Sequence, residues 1–417
     1  MVQLSNDCFA FGGKLMSVDE ALRLIAARVQ PIEGQDHLPL AECDNRVLLS
    51  PLHAPAPLPL FANSAVDGYA LRSADLPQDN ERTFPVTARV QAGAQAEPIK
   101  PGAAVRIFTG APMPQGADTV FMQEDVRLEP DGRITAPAGL KPGANMRPAG
   151  EDIAEGAVAI PAGRRLRPQH VALAAALGLT HLTVRRRVRV AIFSTGNEVV
   201  EPGGPRNSAQ LFDSNRFMLG ALLRRLNCEV HDLGILRDDR AALATALEKA
   251  AGEHDLVLTS GGVSAGEEDH VRAAIESIGS LVLWSLAIKP GRPVAMGVIA
   301  GTPFIGLPGN PVASFVTFAY VVRPTILALL GALPEPLIGL PVRAAFSYKK
   351  KKGRREYVRA SLHYADDGIP EAVKFPREGA GLLSSLADTD GIIELGEDAE
   401  RVSPGEQVRF LAYPALL

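Results

Sequence analysis

Cysteine and aromatic residues are scarce in this sequence. The 417 residues include three cysteines, Cys8, Cys43 and Cys228, which lie far apart and form no C-x-x-C pair. This spacing argues against a zinc cluster or a disulfide framework and favours a reducing compartment. Aromatic residues make up 5% of the chain and include one tryptophan, so a platform that stacks nucleic-acid bases is not expected.

A strong charge of one sign and long apolar runs are missing as well. The formal net charge is −4, which gives no general attraction to nucleic acid or to an acidic membrane surface. The N-terminus lacks the basic and then apolar segment of a signal peptide, and no apolar run approaches the roughly 18 residues of a membrane helix. We therefore expect a cytoplasmic protein without nucleic-acid or membrane partners, in which local cations attract any anionic substrate.

The residues that are present predict several domains. The 39 glycines and 33 prolines, among 46% apolar residues, indicate many turns rather than disorder. The proline-dense segment 51–60 marks a boundary, and residues 84–128 alternate short strand patterns with turns, as in a small β domain. Strand and helix patterns alternate from 188 to about 332, which predicts a doubly wound α/β domain with a mainly parallel sheet. The strand patterns of residues 335–417 predict a small β-barrel or sandwich.

The most informative stretch, residues 255–272 (DLVLTSGGVSAGEEDHVR), joins a buried strand pattern, a glycine loop and the start of a helix. The backbone N–H groups of Gly261–Gly266 and the helix dipole suit an anion. The carboxylates of Glu267, Glu268 and Asp269 follow at once and would repel a phosphate unless a divalent cation lies between them. Two interpretations are about equal here: a phosphate or nucleotide site that works through Mg²⁺, or acids that only cap the helix.

Other polar loops are expected at the same edge of the sheet, because ligands of such sheets bind beyond the carboxyl ends of the strands. These loops are Ser194–Glu198, Asp213–Arg216, Lys289–Pro293 and Gly306–Pro311, the last with Asn310 as a helix cap. Five loops at one edge, carrying both acids and cations, favour a ligand site over a purely structural role.

Four further stretches are less informative from their residues alone. The Asp67-Gly68 pair is usually a turn, residues 141–152 have the composition of a surface loop, and the triplet Arg185–Arg187 is expected to be solvated. The basic run Lys349–Arg355 leaves two interpretations about equal, a solvated hairpin or a basic lip that reaches toward an oxyanion.

Six motifs, taken in order, resemble those of the MoeA/gephyrin E-domain family, the molybdopterin molybdenumtransferases. They are NSAVDGYA at 63–70, RIFTGAPMP at 106–114, STGNE at 194–198, SGGVSAGEED at 260–269, KPGRP at 289–293 and LPGNPVAS at 307–314. The resemblance implies four domains. They are a discontinuous, elongated N-terminal mixed linker domain (1–60 and 150–186), a small β domain (61–149), an α/β molybdopterin-binding domain (187–334) and a C-terminal β-barrel (335–417).

The resemblance also implies an activity and partners. Members of the family insert molybdate into adenylylated molybdopterin and release AMP, and they require Mg²⁺. The implied assembly is a homodimer whose cleft lies between the α/β domain of one subunit and the small β domain of the other. Such a cleft would explain why Asp67, Thr109 and Asp152 carry family motifs although they are remote in sequence. An upstream adenylyltransferase and downstream delivery proteins are implied as further partners.

Roles for individual residues follow from the same resemblance. The implied catalytic residues are Asp67, Thr109, Asp152, Glu198, Asp269 and Lys289. The implied Mg²⁺ ligands are Asp269 and Glu198. The implied cofactor- and substrate-binding residues are Asp213, Ser214, Gly261, Gly262, Ser264, Arg292, Pro293, Asn310, Arg355 and Ser385. Within this set the glycine loop would meet phosphate, and Lys289 and Arg292 would meet molybdate with Arg355 and Ser385 nearby.

Departures from the family pattern and two alternative functions accompany the resemblance, and Arg292 is the departure that bears on the site. The family commonly has lysine where this chain has Arg292, which keeps the charge but replaces a point charge by a planar fork. A molybdopterin adenylyltransferase is the first alternative, because a related α/β fold serves that reaction, although four domains argue against it. A non-catalytic molybdopterin-binding scaffold is the second, although no scaffold-specific insert is visible.

Overall fold

A six-stranded sheet flanked by helices forms the main body of the protein. The computed structural model describes residues 4–5, 7–9, 15–237, 239–261 and 270–416. The strands of this sheet are Arg189–Thr195, Glu229–Leu236, Leu256–Ser260, Gly279–Ser285, Pro293–Ile299 and Thr302–Leu307. The helices around it are Asn215–Arg225, Arg240–Glu253, His270–Ile278 and the continuous helix Pro311–Leu329. This alternation confirms the predicted α/β domain.

The order of the strands brings several loops to one edge of the sheet. Across the sheet the order is 229–236, 189–195, 256–260, 302–307, 293–299 and 279–285. The first three neighbouring pairs are parallel and the last two are antiparallel. The loop 286–292 therefore lies at the same edge as the carboxyl ends of the parallel strands.

Both faces of this sheet are covered, as in a doubly wound fold. On the strand Arg189–Thr195, Val190 and Ile192 pack into one core cluster, whereas Ala191 and Phe193 pack into another on the opposite face. Successive side chains of a strand point to opposite faces, so this strand is buried on both sides. The first cluster includes the helix Pro311–Leu329, and the second includes residues of Arg240–Glu253 and His270–Ile278.

The helix Pro311–Leu329 is a core helix. It is long and apolar enough to cross a membrane by length and composition, but 89% of its most apolar window is buried inside the protein. Arg323 and Pro324 interrupt its apolar run, which is why the sequence showed no candidate. The helix Val18–Arg28, which begins with the capping box of Ser17 and Glu20, packs against it. The predicted lack of a membrane partner stays a prediction.

Residues on either side of the small β region pair with each other. The strand Gln35–Pro39 is antiparallel to His181–Arg185, and Leu52–His53 is antiparallel to Val158–Ile160. The helix Pro168–Ala176 lies between these strands in the sequence. Such pairing is what a discontinuous domain requires. The exact boundaries of this domain stay a prediction.

Arg186 of the basic triplet is not simply solvated, because it forms an ion pair with the buried Asp255 at 2.6 Å.

The predicted small β domain is confirmed. One of its sheets has the strand order 86–90, 104–107, 68–71 and 119–122, and a second has the order 82–84, 134–136 and 127–128. The strands are Asn63–Ser64, Gly68–Leu71, Arg82–Phe84, Val86–Val90, Ala104–Ile107, Thr119–Met122, Arg127–Leu128, Ile134–Ala136 and Met146–Arg147.

The C-terminal region is a closed five-stranded barrel. Its strands are Leu340–Ala344, Arg355–Tyr364, Pro370–Lys374, Gly391–Leu395 and Gln407–Ala412, and pairing of Arg355–Tyr364 with Gly391–Leu395 closes it. Other short elements are the strand pairs Tyr348–Lys349 with Arg401–Val402 and Val199–Val200 with Leu211–Phe212, and the helix Ser384–Ala387. Ile288–Lys289 pairs with Arg355–Glu356, so the loop at the sheet edge is joined to the barrel.

Candidate functional site

A cleft of about 530 Å³ lies at the carboxyl edge of the parallel strands. It is lined by the loops that follow Arg189–Thr195 and Leu256–Ser260, by the start of Pro311–Leu329 and by Gly381 and Leu383 of the C-terminal region. The predicted site residues in its lining are Glu198, Asp213, Ser214, Gly261 and Asn310. The structure thus brings together residues from separate loops, as expected for the edge of a parallel sheet.

Two glycine loops approach each other in this cleft. Gly261 has a φ of +88°, and a Cβ there would lie 3.2 Å from the Thr195 carbonyl oxygen. A Cβ on Gly309 would lie 4.0 Å from the Cα of Gly261. The Gly261 amide donates to the Leu307 carbonyl at 3.0 Å, so it is not a free donor for phosphate. The predicted Gly262, Ser264 and Asp269 lie outside the described residues, and their roles stay predictions.

Arg216 organises the acids beside the cleft. Its buried guanidinium donates from Nε to Asp213 at 2.9 Å, from Nη1 to Asp232 at 2.5 Å and from Nη2 to Glu201 at 2.6 Å. Asp213 also accepts from the backbone N–H of Arg216. Asp213 is therefore held as an ion-pair partner and is not an available metal ligand. The same network ties the Asp213 loop to the neighbouring strand Glu229–Leu236.

Glu198 is the carboxylate that remains available among the described residues of the cleft lining. It is exposed, and within the described ranges no ion-pair partner is recorded for it. Its carboxylate folds over Gly196, because a Cβ on that glycine would lie 2.6 Å from Glu198 Oε2. The described part of the chain has no group of three or more His, Cys, Asp or Glu residues that could hold a metal. A metal site here would need ligands beyond these side chains.

A second, smaller cavity of about 110 Å³ lies between the loop 286–292 and the barrel. Its charged lining residues are Lys289, Arg359, Lys374, Arg377 and Glu378. Four cations face one acid in this lining. Gly379 and Ala380 also line this cavity, whereas Gly381 and Leu383 line the larger cleft. One short segment therefore separates the two cavities.

Arg359 is the buried one of these four cations. It is 8% exposed, it donates to Ser385 Oγ at 3.0 Å and to the Gly379 carbonyl at 3.2 Å, and burial lowers its pKa. An arginine stays charged even so. No carboxylate within 4 Å is recorded for it among the residues that the structure describes. A buried cation without a counter-ion favours an anionic ligand. Arg359 was not among the residues predicted from the sequence.

The barrel strand Arg355–Tyr364 holds the signal that could have identified Arg359. Residues 356–360 of this strand are buried, and a basic residue inside an apolar strand pattern is rarely left without a partner. The predicted Arg355 lies four residues earlier and is engaged elsewhere, with Glu397 at 3.0 Å and Asp19 at 3.4 Å. It is not in the lining of either cavity. Ser385 is buried and reaches the smaller cavity only through Arg359.

The motif KPGRP contributes its first lysine to the smaller cavity. Lys289 Nζ lies 3.2 Å from the Tyr348 hydroxyl and 3.4 Å from Glu356 Oε2. Gly291 has a φ of +105°, and a Cβ there would lie 2.6 Å from Thr317 Oγ1, so the loop packs closely on the core helix. Arg292 and Pro293 are exposed and lie outside the lining of both cavities.

The remaining predicted residues lie elsewhere in the chain. Asp67 Oδ1 accepts from the backbone N–H and the hydroxyl of Thr109, both at 2.8 Å, and these bonds lower the pKa of Asp67. Gly68 begins the strand Gly68–Leu71 and is not part of a turn. Only glycine fits there, because a Cβ would lie 1.8 Å from the Phe121 carbonyl oxygen. Asp152 is exposed beside the proline-dense segment. The single chain does not bring these residues to either cavity.

Three family models together match most of the chain. The model of the MoeA N-terminal region (domain I and II) matches residues 16–178, that of a probable molybdopterin binding domain matches 191–328, and that of the MoeA C-terminal region (domain IV) matches 341–413. A molybdopterin molybdenumtransferase of Haemophilus influenzae is 38% identical over 408 residues, which cover 97% of this chain and 100% of that protein. The chain belongs to the MoeA family.

Further relatives of this MoeA-family chain extend over nearly its whole length. Molybdopterin molybdenumtransferase 2 of Mycobacterium tuberculosis is 35% identical, over 95% of this chain and 99% of that protein. A crystal structure of the molybdopterin biosynthesis MoeA protein from Pyrococcus horikoshii superposes with a TM-score of 0.80 and 31% identity, over 96% of this chain and 100% of that one. The larger cleft of this MoeA-family member lies in the region matched by the probable molybdopterin binding domain.

Proposed function

We propose that this protein is a molybdopterin molybdenumtransferase that acts on adenylylated molybdopterin and molybdate and releases AMP. The observation that carries the proposal is the pair of adjoining cavities, a large one lined by glycine loops and hydroxyls and a small one lined by cations. A bulky organic substrate and a small oxyanion need two sites of different size and charge. Relatives with this name align over nearly the whole chain, which supports the same assignment.

Molybdate would bind in the smaller cavity. A volume of about 110 Å³ suits one small tetrahedral oxyanion. Lys289 and Arg359 would supply fixed donors from opposite sides of the junction between sheet edge and barrel. Charge-assisted hydrogen bonds of this kind are the strong ones, and donors that are already in place need no rearrangement when the anion reacts.

Mg²⁺ would be held by Glu198 and Asp269. Glu198 fits this role because its carboxylate is exposed in the cleft, whereas Asp213 is engaged by Arg216. Magnesium commonly takes only one or two carboxylates and fills its other positions with phosphate oxygens and water. When bound, the ion would neutralise charge on the phosphoanhydride. Ser214 and Asn310 would line the space for the organic part of the substrate.

The active assembly would be a cytoplasmic homodimer. Asp67, Thr109 and Asp152 of a second copy would complete the wall of the larger cleft. The two hydrogen bonds from Thr109 lower the pKa of Asp67, so the carboxylate is charged at neutral pH and suited to a polar contact. The upstream adenylyltransferase and downstream delivery proteins belong to the same proposal as transient partners.

A direct assay tests the proposed reaction. Purified protein is mixed with adenylylated molybdopterin, Mg²⁺ and molybdate, and AMP release is followed. We expect AMP release that depends on molybdate. Release that does not depend on molybdate would contradict the proposal, and transfer of AMP from ATP to molybdopterin would indicate an adenylyltransferase instead.

The role of Asp269 is tested by substitution. Asp269→Ala should abolish AMP release while the mass of the dimer in solution is unchanged, because the substitution removes a proposed ligand of the metal. Glu267→Ala is the matched control and should retain near-normal release, since Glu267 is not among the residues to which the family resemblance gives a catalytic or binding role. Near-normal release by Asp269→Ala would show that the metal is held elsewhere.

A further inference from the structure

The lining of the larger cleft includes two buried polar groups without a hydrogen-bond partner. Ser194 is 2% exposed and Asn215 is 8% exposed, and both line the cleft. Neither Ser194 Oγ nor Asn215 Oδ1 has a partner among the described residues. Most buried polar groups in folded proteins are satisfied, so two exceptions in the lining of one cleft point to a ligand.

The orientation of the Asn215 amide is determined by its neighbours. Its nitrogen donates to Ser260 Oγ and to the Gly309 carbonyl oxygen, both at 2.7 Å. A carbonyl oxygen can only accept, so the atom that faces Gly309 must be the nitrogen. The amide cannot flip without losing the hydrogen bond to the Gly309 carbonyl oxygen and placing two acceptor oxygens against each other. Asn215 Oδ1 is therefore a fixed acceptor.

We propose that Ser194 and Asn215 contact the bound substrate directly, and that Asn215 Oδ1 accepts a hydrogen bond from an N–H or O–H group of that substrate. Molybdate and phosphoanhydride oxygens only accept, so they cannot satisfy this group. The proposal deepens the proposed function and rests on it. Adenylylated molybdopterin carries suitable donors in three places: the N–H groups of its pterin, and the ribose hydroxyls and the adenine amino group of its adenylyl part.

Substitution of Ser194 distinguishes a role in substrate binding from a role in the stability of the fold. Ser194→Ala removes a hydroxyl that no group in the described protein uses, so the fold should lose nothing and could gain stability. The substrate would lose a contact. We expect binding to weaken by about 3- to 10-fold, as for one neutral hydrogen bond, with an unchanged or higher unfolding midpoint.

Thr259→Val is the matched control. The Thr259 hydroxyl is also buried and unpartnered in the described structure, at 0% exposure, but it is not in the lining of the cleft. The substitution should leave binding unchanged. Asn215→Leu should weaken binding more than Ser194→Ala, but it also removes the bonds to Ser260 and Gly309, so its unfolding midpoint must be measured in parallel.

The experiment is calorimetric titration of the full-length protein with two probes, AMP and 6-hydroxymethylpterin. At least one probe should bind the unaltered protein, bind Ser194→Ala more weakly and bind Thr259→Val equally well. A loss of affinity in Ser194→Ala that is confined to the pterin probe places the contact at the pterin ring, and a loss confined to AMP places it at the adenylyl part.

Two results would overturn the inference: equal binding of both probes to Ser194→Ala and the unaltered protein, or no binding of either probe to the unaltered protein. Both results come from binding titrations, which do not require turnover. A protein that shows Ser194-dependent binding but no molybdate-dependent AMP release would contradict the proposed reaction and leave the substrate contact in place.

Discussion

The two cavities differ in charge, in size and in how the chain builds them. The larger cleft is lined mainly by small and polar residues and holds the available carboxylate of Glu198. The smaller cavity is lined by four cations and one acid. Opposite charges this close to one another would pair and cancel if they shared one cavity. Their separation by the segment 379–383 lets each region keep its own electrostatic character.

The origin of the lining residues differs as well. The larger cleft is built almost entirely from loops at one edge of one sheet, with two residues from the C-terminal region. The smaller cavity takes Lys289 and Pro290 from that edge and the rest of its lining from the barrel region. Substitutions can therefore alter one cavity and leave the other intact.

The largest effect is expected for Arg216, which supports the larger cleft alone. Arg216→Gln would leave the buried Asp213 without its charged partner, so unfolding by urea should show a loss of about 2–4 kcal/mol. The loop that carries Asp213 should lose its position, and AMP release should fall with it. Molybdate binding, measured by calorimetry, should change little because Arg216 does not line the smaller cavity.

Asp232→Asn is the control for Arg216. It removes one partner that is half exposed, so its cost in unfolding free energy should be about 0–1 kcal/mol. A loss of stability equal to that of Arg216→Gln would mean that the exposed end of the network, and not the buried Asp213, holds the loop.

The next effect concerns the smaller cavity. Arg359→Gln should raise the molybdate concentration for half-saturation by about 10- to 100-fold, because a buried charge-assisted donor is lost. The matched variant Arg355→Gln should raise it by less than about 3-fold, since Arg355 is engaged by Glu397 and Asp19. Titration of AMP release with molybdate compares the two. A larger rise in the half-saturating molybdate concentration for Arg355→Gln than for Arg359→Gln would show that the anion binds outside the smaller cavity.

The smallest effect, on the free energy of unfolding, is expected for the ion pair of Asp255. This residue precedes the strand Leu256–Ser260 at the end that is remote from both cavities. Burial alone would raise the pKa of Asp255, but hydrogen bonds from Arg186 and from the Arg189 N–H hold it below its ordinary value near 3.8. A lowered pKa means that the charged form stabilises the fold. This contribution is present above about pH 4 and is lost as the pH falls through the folded pKa.

Arg186→Gln tests this statement. It should reduce the free energy of unfolding by about 1 kcal/mol at pH 7, because glutamine can still donate and Arg189 remains nearby. The difference from the unaltered protein should shrink below about pH 4. Urea unfolding at several pH values measures it. A difference that grows in acid would reverse the assigned sign, and any change in AMP release at pH 7 would contradict the separation from both cavities.

Much of the larger cleft could be predicted because its residues follow from the pattern of a parallel sheet. Once strands and helices alternate, the loops after Thr195, Ser260 and Leu307 must meet at one edge. Glu198, Gly261 and Asn310 could therefore be named before the structure was described. The engagement of Asp213 by Arg216 could not be named, since it needs the position of Asp232 on a neighbouring strand.

The smaller cavity was predicted only in part. Lys289 was named from its motif, but Arg355 was named where the structure places Arg359 in the lining. Both arginines are on one barrel strand, and only the closure of the barrel decides which one meets an acid and which one meets a cavity. The motif neighbour Arg292 is exposed for a similar reason, because the turn at Gly291 directs the chain into the next strand.

By itself, the sequence determined the family, the alternation of strands and helices, and the set of loops that meet at one edge of the sheet. These follow from local periodicity and from motifs, which are properties of neighbouring residues. The tertiary structure decided which charges are compensated. Among the residues that the structure describes, it pairs Arg216 with three acids, leaves Arg359 without one and leaves Asn215 Oδ1 unsatisfied in the cleft lining. Compensation depends on partners that are remote in sequence and meet only when the sheet, the core helix and the barrel are packed together.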